Sequence, residues 1–301
     1  VTITGVENAW YRDVVIPEEI DGYPVTTIGK SAFYNYTPAS VIVPESVRKI
    51  EENAFTRCGD GTYIEIRNKD CEIYPSSETF SPGFAAAYLF IVIAAPKGST
   101  TEEHCKKYGG AFVPLSDEVI EIASGYCGDG VHYSITNDGT MTLTGNGKVY
   151  NRGHSYDVIP YCDAYAFFVD KIVIDGHIEI GAYAFDRFFR LKEISIPEGT
   201  ETIGENAFCE CKSLVSIDIP DSVKRIDNSA FLYSGIYKDK NNWENGLLYY
   251  GDALLAGDAD LVPQEVVIKD GTRIIADDVF DDCTQITRVE IPDSVKCIEY
   301  N

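Results

Sequence analysis

Acidic side chains form the densest cluster of potentially reactive groups in this 301-residue sequence. The cluster consists of Asp277, Asp278, Asp281 and Asp282. At helical spacing, two or three of these carboxylates could share one face and bind Ca²⁺, a cation that prefers oxygen ligands. The central glycine and the ligand spacing of an EF-hand loop are missing, however. We therefore expect no bound metal and no other cofactor.

The histidines are the next candidates for catalysis, and they are scattered: His104, His132, His154 and His177. No two of them have the spacing of an HExxH zinc motif, and the sequence has no GxSxG elbow and no P-loop. His177 follows a predicted strand, so we expect it on the surface, in a turn. Without a nucleophile–base pair or a metal constellation, the sequence predicts that the chain is not an enzyme.

The nine cysteines follow a structural pattern. Cys58, Cys211 and Cys283 each lie three residues after a phenylalanine. Equivalent positions in stacked repeats point in the same direction, so we predict that these cysteines are small buried side chains rather than disulfide partners. Cys209-x-Cys211 alone is a weak indication of a metal site, because the sequence has neither a CxxC pair nor the Cys/His spacings of zinc sites.

Composition limits the class of partner. The formal net charge is −23, with 45% apolar and 24% charged residues. This negative charge disfavours nucleic acids and anionic membrane surfaces, which attract Lys and Arg. The longest apolar run, residues 84–95, is shorter than the roughly 18 residues of a membrane helix, and it predicts a buried strand. We expect a monomer that binds no nucleic acid and does not insert into a membrane.

Apolar residues recur along the chain with a period of 22 or 23 residues, and most repeats contain an Ala-Phe pair. In residues 196–220 the repeat reads IPEGTETIGENAFCECKSLVSIDIP. Ile217 and Ile219 lie two positions apart and face one side of a strand, while Ser216 and Asp218 face the other side. A single unit cannot bury its apolar side, so the units must stack into a coil.

The repeats fall into two blocks. The first block, residues 1–115, closes with a helix that Ser99 and Glu102 should cap, and with a final strand that covers the end of the stack. The second block, residues 124–301, opens with a hairpin around Asn137-Asp138-Gly139 and is interrupted by another hairpin at residues 243–256. The chain stops before the next Ala-Phe pair, so we expect the second block to be truncated at its end.

The repeated unit IPxxVxxIxxxAFxxCxxLxxIxIP resembles the leucine-rich repeats of the BspA-like, Treponema-type class of bacterial cell-surface proteins. The hairpin sequence NDGTMTLTGNG and the stretch KDCEIY resemble the additions of that class. The resemblance implies an α/β leucine-rich-repeat solenoid, mostly β-strands with short helical turns, in two repeat blocks with β-hairpin additions. It also implies an exported or cell-surface protein, with the signal peptide absent from this chain, that binds proteins or glycans.

Outward strand positions form the predicted recognition surface, because solenoids use such faces for extended binding. They are Lys171, Val173, Glu193, Ser195, Ser216, Asp218, Arg288 and Glu290. The alternative is that they are only solvated strand residues. Three aromatic residues, Trp243, Tyr249 and Tyr250, could also contact a partner or could pack over the coil. We predict a non-enzymatic binding module that contacts host or neighbouring-cell proteins or glycans; the alternative is a structural spacer that displays other domains.

Overall fold

The structure is a computed structural model that describes residues 1–6, 13–58, 61–81, 91–149 and 163–298. The chain packs as two compact units. Unit 1 comprises Val1–Ile122, Thr136–Asp138 and Cys162–Phe168, and unit 2 comprises Ala123–Ile135, Gly139–Tyr161 and Val169–Asn301. The domain limits that the sequence predicts, residues 1–115 and 124–301, stay a prediction.

The described residues of unit 1 form short strands and three short helices. The strands are β1 (Thr2–Ile3), β2 (Asp13–Val15), β3 (Glu19–Ile20), β4 (Tyr23–Pro24), β5 (Thr27–Ile28), β6 (Ser40–Val43), β7 (Lys49–Ile50), β8 (Tyr63–Ile66), β9 (Glu72–Ile73), β10 (Val92–Pro96) and β11 (Ala111–Leu115). The helices are a 3₁₀ helix (Ser77–Phe80), α1 (Thr100–Tyr108) and α2 (Asp163–Ala166). One parallel sheet has the order β11-β10-β8-β6-β2 and a second has the order β1-β5-β7-β9, so each coil contributes to two ladders.

Unit 2 repeats this plan with two insertions. Its strands are β12 (Glu121–Thr136), β13 (Thr140–Val149), β14 (Lys171–Glu179), β15 (Glu193–Ser195), β16 (Thr202–Ile203), β17 (Arg225–Ile226), β18 (Trp243–Glu244), β19 (Leu247–Tyr250), β20 (Ala253–Gly257), β21 (Glu265–Val267), β22 (Ile274–Ile275), β23 (Arg288–Glu290) and β24 (Cys297–Ile298). Its helices are α3 (Gly235–Lys238) and a 3₁₀ helix (Lys240–Asn242). β12 pairs antiparallel with β13, and β18, β19 and β20 form an antiparallel meander, so both predicted hairpin additions are present.

Each coil turns sharply around its Ala-Phe pair by placing two residues in the left-handed region. In the turn around Phe208, Asn206 has a φ of 52° and Glu210 a φ of 57°. The backbone N–H groups of Asn206, Phe208 and Glu210 donate to carbonyl oxygens of the next coil at 2.8 to 3.1 Å. The corresponding turn of unit 1 has Asn53 and Arg57, both at 58°. The Ala-Phe pair therefore lies in a tight turn of each coil.

Phenylalanine rings stack through the core of each unit. The ring of Phe55 lies between those of Phe33 and Phe80, with centroid distances of 4.9 and 5.6 Å. In unit 2, the ring of Phe208 is 5.5 Å from one neighbouring phenylalanine ring and 5.4 Å from the other. Both Phe55 and Phe208 are fully buried, so each bridges three successive coils.

The cysteine three residues after the phenylalanine also faces the core. The thiols of Cys58 and Cys211 donate to the carbonyl oxygen of the phenylalanine one coil earlier, at 3.4 and 3.1 Å. Both residues and Cys283 are buried and free, and burial raises the pKa of the Cys58 thiol to about 12. The predicted buried cysteines are confirmed at this position, whereas Cys162 lies outside the described residues.

Helix α1 covers the last ring of the stack in unit 1. Ser99 Oγ accepts a hydrogen bond from the Glu102 N–H (3.1 Å), and Gly109, with a φ of 89°, ends the helix. The predicted cap by Ser99 is therefore confirmed, whereas the Glu102 carboxylate accepts the Gly98 N–H (2.6 Å) instead of the Ser99 N–H. His104 points inward from α1, and its ring meets that of Phe80 edge-on at a centroid distance of 5.4 Å.

At β10 and β11 the large sheet of unit 1 is buried on both sides. Its inward side chains belong to the main core. Its outward side chains Val92, Ala94, Ala111 and Val113 pack with Phe168 into a second apolar cluster. A parallel strand covered on both faces has a continuous apolar sequence, which explains the apolar character of residues 92–95. The predicted buried strand is confirmed over β10, while residues 84–90 lie outside the described residues.

Candidate functional site

Six of the eight predicted recognition residues lie together on the outward side of unit 2. In the parallel pair β14–β15, Lys171 lies opposite Glu193, and Val173 lies opposite Ser195. A further bridge joins Ser195 to Asp218 on the next coil. Ile172, Ile194 and Ile217, between these outward positions, are buried. The alternation read from the sequence therefore places these side chains on a common surface.

The N-terminal hairpin extends this surface by two strands. Thr140 of β13 lies opposite Lys171, and Thr142 lies opposite Val173. On β12, Ser134 lies opposite Thr142. We call the outward side of these strands the strand face; it comprises Ser134, Thr140, Thr142, Lys171, Val173, Glu193, Ser195, Ser216 and Asp218. The three hairpin residues were missed by the sequence prediction, although the strict alternation of both hairpin strands was visible.

The strand face contains a shallow depression of about 460 Å³. It is lined by outward residues of three coils, among them Lys171, Val173, Lys192, Glu193, Ser195, Ser216 and Asp218. The ammonium of Lys171 lies 3.4 Å from Glu193 Oε2, and that of Lys192 lies 3.4 Å from Asp170 Oδ2. The face thus offers hydroxyl groups, carboxylates and paired ammonium groups, which suits hydrogen bonding to a polar partner.

The other two predicted residues, Arg288 and Glu290, lie on a different sheet. They belong to β23, which pairs with β21 in a separate two-stranded sheet, and their side chains pair with each other at 2.6 Å. The second hairpin separates this sheet from the strand face. At the edge of the strand face, the Tyr250 hydroxyl of the hairpin accepts the Ile217 N–H (2.9 Å). The eight residues therefore do not form one continuous face.

The second hairpin is held in place by Arg273. Its guanidinium Nε lies 2.6 Å from Asp252 Oδ2, in the turn between β19 and β20. The Nη1 group of Arg273 also donates a hydrogen bond to the backbone carbonyl of Val223 (2.6 Å). Arg273 thus ties the hairpin to the coil before it and the coil after it.

The aromatic residues of the second hairpin pack over the coil. Trp243 Nε1–H donates to the carbonyl of Tyr237 (2.7 Å), and the Tyr249 hydroxyl accepts the Lys269 N–H (3.3 Å). Tyr250 bonds to Ile217, as described above. Trp243, Tyr249 and Tyr250 therefore each form a side-chain hydrogen bond within unit 2.

The histidines are dispersed in the structure as well. His104 is only 7% exposed, and burial lowers the pKa of its imidazole. His177 is exposed, but it lies inside β14 rather than in a turn after it. The turn prediction was wrong because β14 continues past Gly176, which pairs with Gly145 of β13. His154 lies outside the described residues.

The acidic cluster is spread around a coil turn. Asp278 and Asp282 take the two left-handed positions on either side of Val279-Phe280, and Asp278 Oδ2 accepts a hydrogen bond from Asn228 (2.6 Å). Among the described residues, no group of three or more His, Cys, Asp or Glu side chains is placed to hold a metal ion.

No helix in the described parts of the chain has both the length and the apolarity needed to cross a membrane. The longest of the described helices is α1, with nine residues.

The similarity of this chain to a known protein family lies in its repeats. The profile of the BspA type leucine rich repeat region matches residues 11–81 and 260–301, in six copies. No curated protein matches the sequence.

Several solved structures of bacterial leucine-rich-repeat proteins are similar at low identity. A protein from Eubacterium ventriosum is 16% identical with a TM-score of 0.34; the match covers 60% of this chain and only 62% of that one. A leucine rich cell surface protein from Faecalibacterium prausnitzii is 17% identical over 99% of this chain and 72% of that one, with a TM-score of 0.23. The pneumococcal vaccine antigen PcpA is 17% identical over 99% and 80%, with a TM-score of 0.21.

These structural likenesses are weak, so the assignment rests on the repeat profile and on the coils themselves. The profile matches coils of unit 1 and coils of unit 2. Both units therefore carry repeats that match the BspA type leucine rich repeat region, at residues 11–81 and 260–301.

Proposed function

We propose that the chain is a non-enzymatic binding module of an exported bacterial cell-surface protein. In this proposal the strand face of unit 2 contacts a protein or a glycan. The observation that carries it is a difference in burial. Glu193, Ser195, Ser216 and Asp218 are exposed on the strand face, whereas Val92 and Ala94 at outward positions of unit 1 are fully buried.

The chemistry of the strand face favours an extended polar partner. Neighbouring strands in a sheet lie about 4.8 Å apart, so the rows present hydrogen-bonding groups at regular intervals. Val173 is the single aliphatic member of the face, and the other members carry hydroxyl, carboxylate or ammonium groups. A face of this polarity suits a contact with few buried apolar anchors, as in the polar rims of protein interfaces.

Binding of the full chain to immobilised extracellular-matrix proteins and to a glycan array tests this proposal. The variant carrying Ser195→Arg and Asp218→Lys adds bulk and positive charge at the centre of the face. We expect it to weaken binding at least about tenfold, which corresponds to roughly 1.4 kcal/mol. Its thermal unfolding should match the wild type, because both side chains are exposed.

Val15→Arg provides the control for the Ser195→Arg change. Val15 is an outward strand residue of unit 1 that is 67% exposed, so the substitution adds an arginine away from the strand face. It should leave binding unchanged. If the wild-type chain binds no matrix protein and no glycan, the binding proposal fails and the structural spacer is favoured.

The exported location is part of the same proposal. It follows from the likeness of the repeats to those of bacterial surface proteins. Antibody labelling of intact and permeabilised producing cells tests it: equal labelling supports surface exposure, and labelling only after permeabilisation contradicts it.

A further inference from the structure

A second depression lies beside the hairpin of unit 2, apart from the strand face. Its volume is about 360 Å³, within the roughly 300–1,000 Å³ range of small-molecule pockets. Its side-chain lining includes Asn241, Asn242, Glu244, Tyr249, Lys269 and Asp270. These residues come from the 3₁₀ helix before β18, from the hairpin and from the loop after β21.

Tyr249 provides a partly exposed aromatic ring with an oriented hydroxyl group. The hydroxyl oxygen accepts the Lys269 N–H at 3.3 Å, so its own proton is left to donate. A tyrosine phenol is protonated at neutral pH, and burial raises the pKa of Tyr249 further. The ammonium of Lys269 lies 3.1 Å from Glu244 Oε2. The Tyr249 hydroxyl and the Lys269 ammonium are therefore each positioned by a neighbouring group.

Acceptor oxygens surround the same depression. Asn241 and Asn242 direct their amide NH₂ groups to Asp239 Oδ1 and to the Ile236 carbonyl, both at 2.9 Å. These bonds hold the two side-chain amides and leave their carbonyl oxygens as acceptors. The Asp270 carboxylate is exposed at the rim. Hydrogen-bond donors and acceptors thus line the depression together with the Tyr249 ring, and the Lys269 ammonium lies over that ring, 5.5 Å from its centroid.

This arrangement matches the chemistry of sugars. Each saccharide hydroxyl both donates and accepts hydrogen bonds, and the C–H face of a sugar ring packs on an aromatic side chain, which has an apolar body and a polar tip. Two carboxylates and a chain net charge of −23 disfavour sulfated or sialylated ligands. We propose that this depression binds a neutral oligosaccharide, with the Tyr249 ring against a sugar ring and Glu244 and Asp270 accepting hydrogen bonds from its hydroxyl groups.

The test is an array of neutral, sialylated and sulfated oligosaccharides probed with the full chain. We expect selective retention on neutral oligosaccharides. The variant with Glu244→Ala and Asp270→Ala removes two acceptors and should lower the affinity for the retained oligosaccharide at least about tenfold. Tyr249→Phe keeps the ring but loses the donor, so a loss of about threefold is expected.

The double variant is the primary one, because Glu244 and Asp270 are both exposed and their removal should not unfold the hairpin. Equal thermal unfolding of variant and wild type checks this. Glu198→Ala, which removes an exposed carboxylate outside both depressions of unit 2, is the matched control and should leave oligosaccharide affinity unchanged. The inference does not rest on the strand-face proposal.

Three results would overturn the proposal: retention on sialylated or sulfated oligosaccharides in preference to neutral ones, no retention on any neutral oligosaccharide, or retention that Glu244→Ala and Asp270→Ala leave unchanged.

Discussion

The outward positions of β10 and β11 in unit 1 and those of the strand face in unit 2 have opposite environments. In unit 1, Val92, Ala94 and Val113 lie under Phe168, whose ring stacks on that of Tyr63 with centroids 5.8 Å apart. In unit 2, the corresponding positions form the strand face, where most side chains are polar and exposed. Coils of the same type thus form a covered sheet at β10 and β11 in unit 1 and an open sheet at the strand face in unit 2.

The difference shows what a repeat does and does not specify. The inward positions and the Ala-Phe turn are alike in both units, because every coil must bury its apolar side against its neighbours. The outward positions are free of that requirement. Where they carry alanine and valine, another segment must cover them; where they carry serine, threonine and charged residues, water or a partner can.

Removing a ring from the phenylalanine stack should give the largest effect, and an equal one in both units. Phe55→Ala and Phe208→Ala each leave a cavity between two stacked rings. We expect each to lower the free energy of unfolding by about 3–5 kcal/mol, the usual range for a buried phenylalanine. Urea unfolding combined with hydrogen exchange measured by peptide should locate each loss in its own unit. A large loss in one unit and a small loss in the other would contradict a shared stack.

Exchanging a valine for threonine at matched outward positions tests the comparison directly. Val92 on β10 is fully buried, so Val92→Thr places a hydroxyl in an apolar cluster and should cost about 1–3 kcal/mol of unfolding free energy. Val173 on β14 is partly exposed, and Val173→Thr should stay within about 0.5 kcal/mol. Thermal unfolding of the two variants side by side is the measurement. Equal losses would mean that the two faces are covered alike.

The coil could be predicted from the sequence because its causes are local. Phe208 marks the turn, and Ile217 and Ile219 mark the strand, within one repeat. The cap of α1 by Ser99 was equally predictable, because Ser99 and Glu102 are three residues apart. Each of these features depends on side chains within about one repeat length.

The boundaries of the strand face could not be predicted, because they depend on distant contacts. The long interval between Phe231 and Phe280 showed that the repeat is interrupted. The sequence could not show that the Tyr250 hydroxyl would reach the Ile217 N–H and end the ladder there. Phe168 covers Val113 from more than 50 residues away, and no local pattern connects the two.

The depression beside the second hairpin could not be predicted from the sequence either, because it also depends on distant contacts. Tyr249 was identified in the sequence as a candidate contact residue. Its neighbour Lys269 is 20 residues further along the chain, and only the fold brings the two together.

Acidification should distinguish the units further. His104 is buried in unit 1, and burial, assisted by the nearby charge of Lys107, lowers the pKa of its imidazole while a backbone hydrogen bond at Ser76 opposes this. The folded state therefore favours the neutral ring. The stabilisation from this preference is complete above the unfolded pKa, about 6.5, and is lost as the pH falls through the lower folded value.

Unit 1 should accordingly lose stability as the pH falls below about 6.5, and His104→Phe should remove the part of this loss that His104 causes. The control is His177→Phe, at an exposed position of unit 2. Thermal unfolding across this pH range, with hydrogen exchange of α1 as the local reporter, is the measurement. An unchanged pH profile in His104→Phe would contradict the assignment of the loss to this histidine.

The smallest effect on stability is expected on the strand face itself. Lys171 is half exposed and pairs with Glu193 at 3.4 Å, and such a surface pair contributes about 0–1 kcal/mol. Lys171→Ala should therefore shift the free energy of unfolding by less than about 0.5 kcal/mol, as measured by urea unfolding. Because the face supports so little of the fold, a loss of partner binding in this variant can be attributed to the lost contact. A destabilisation above about 2 kcal/mol would instead indicate that this face, like the one in unit 1, is part of a core.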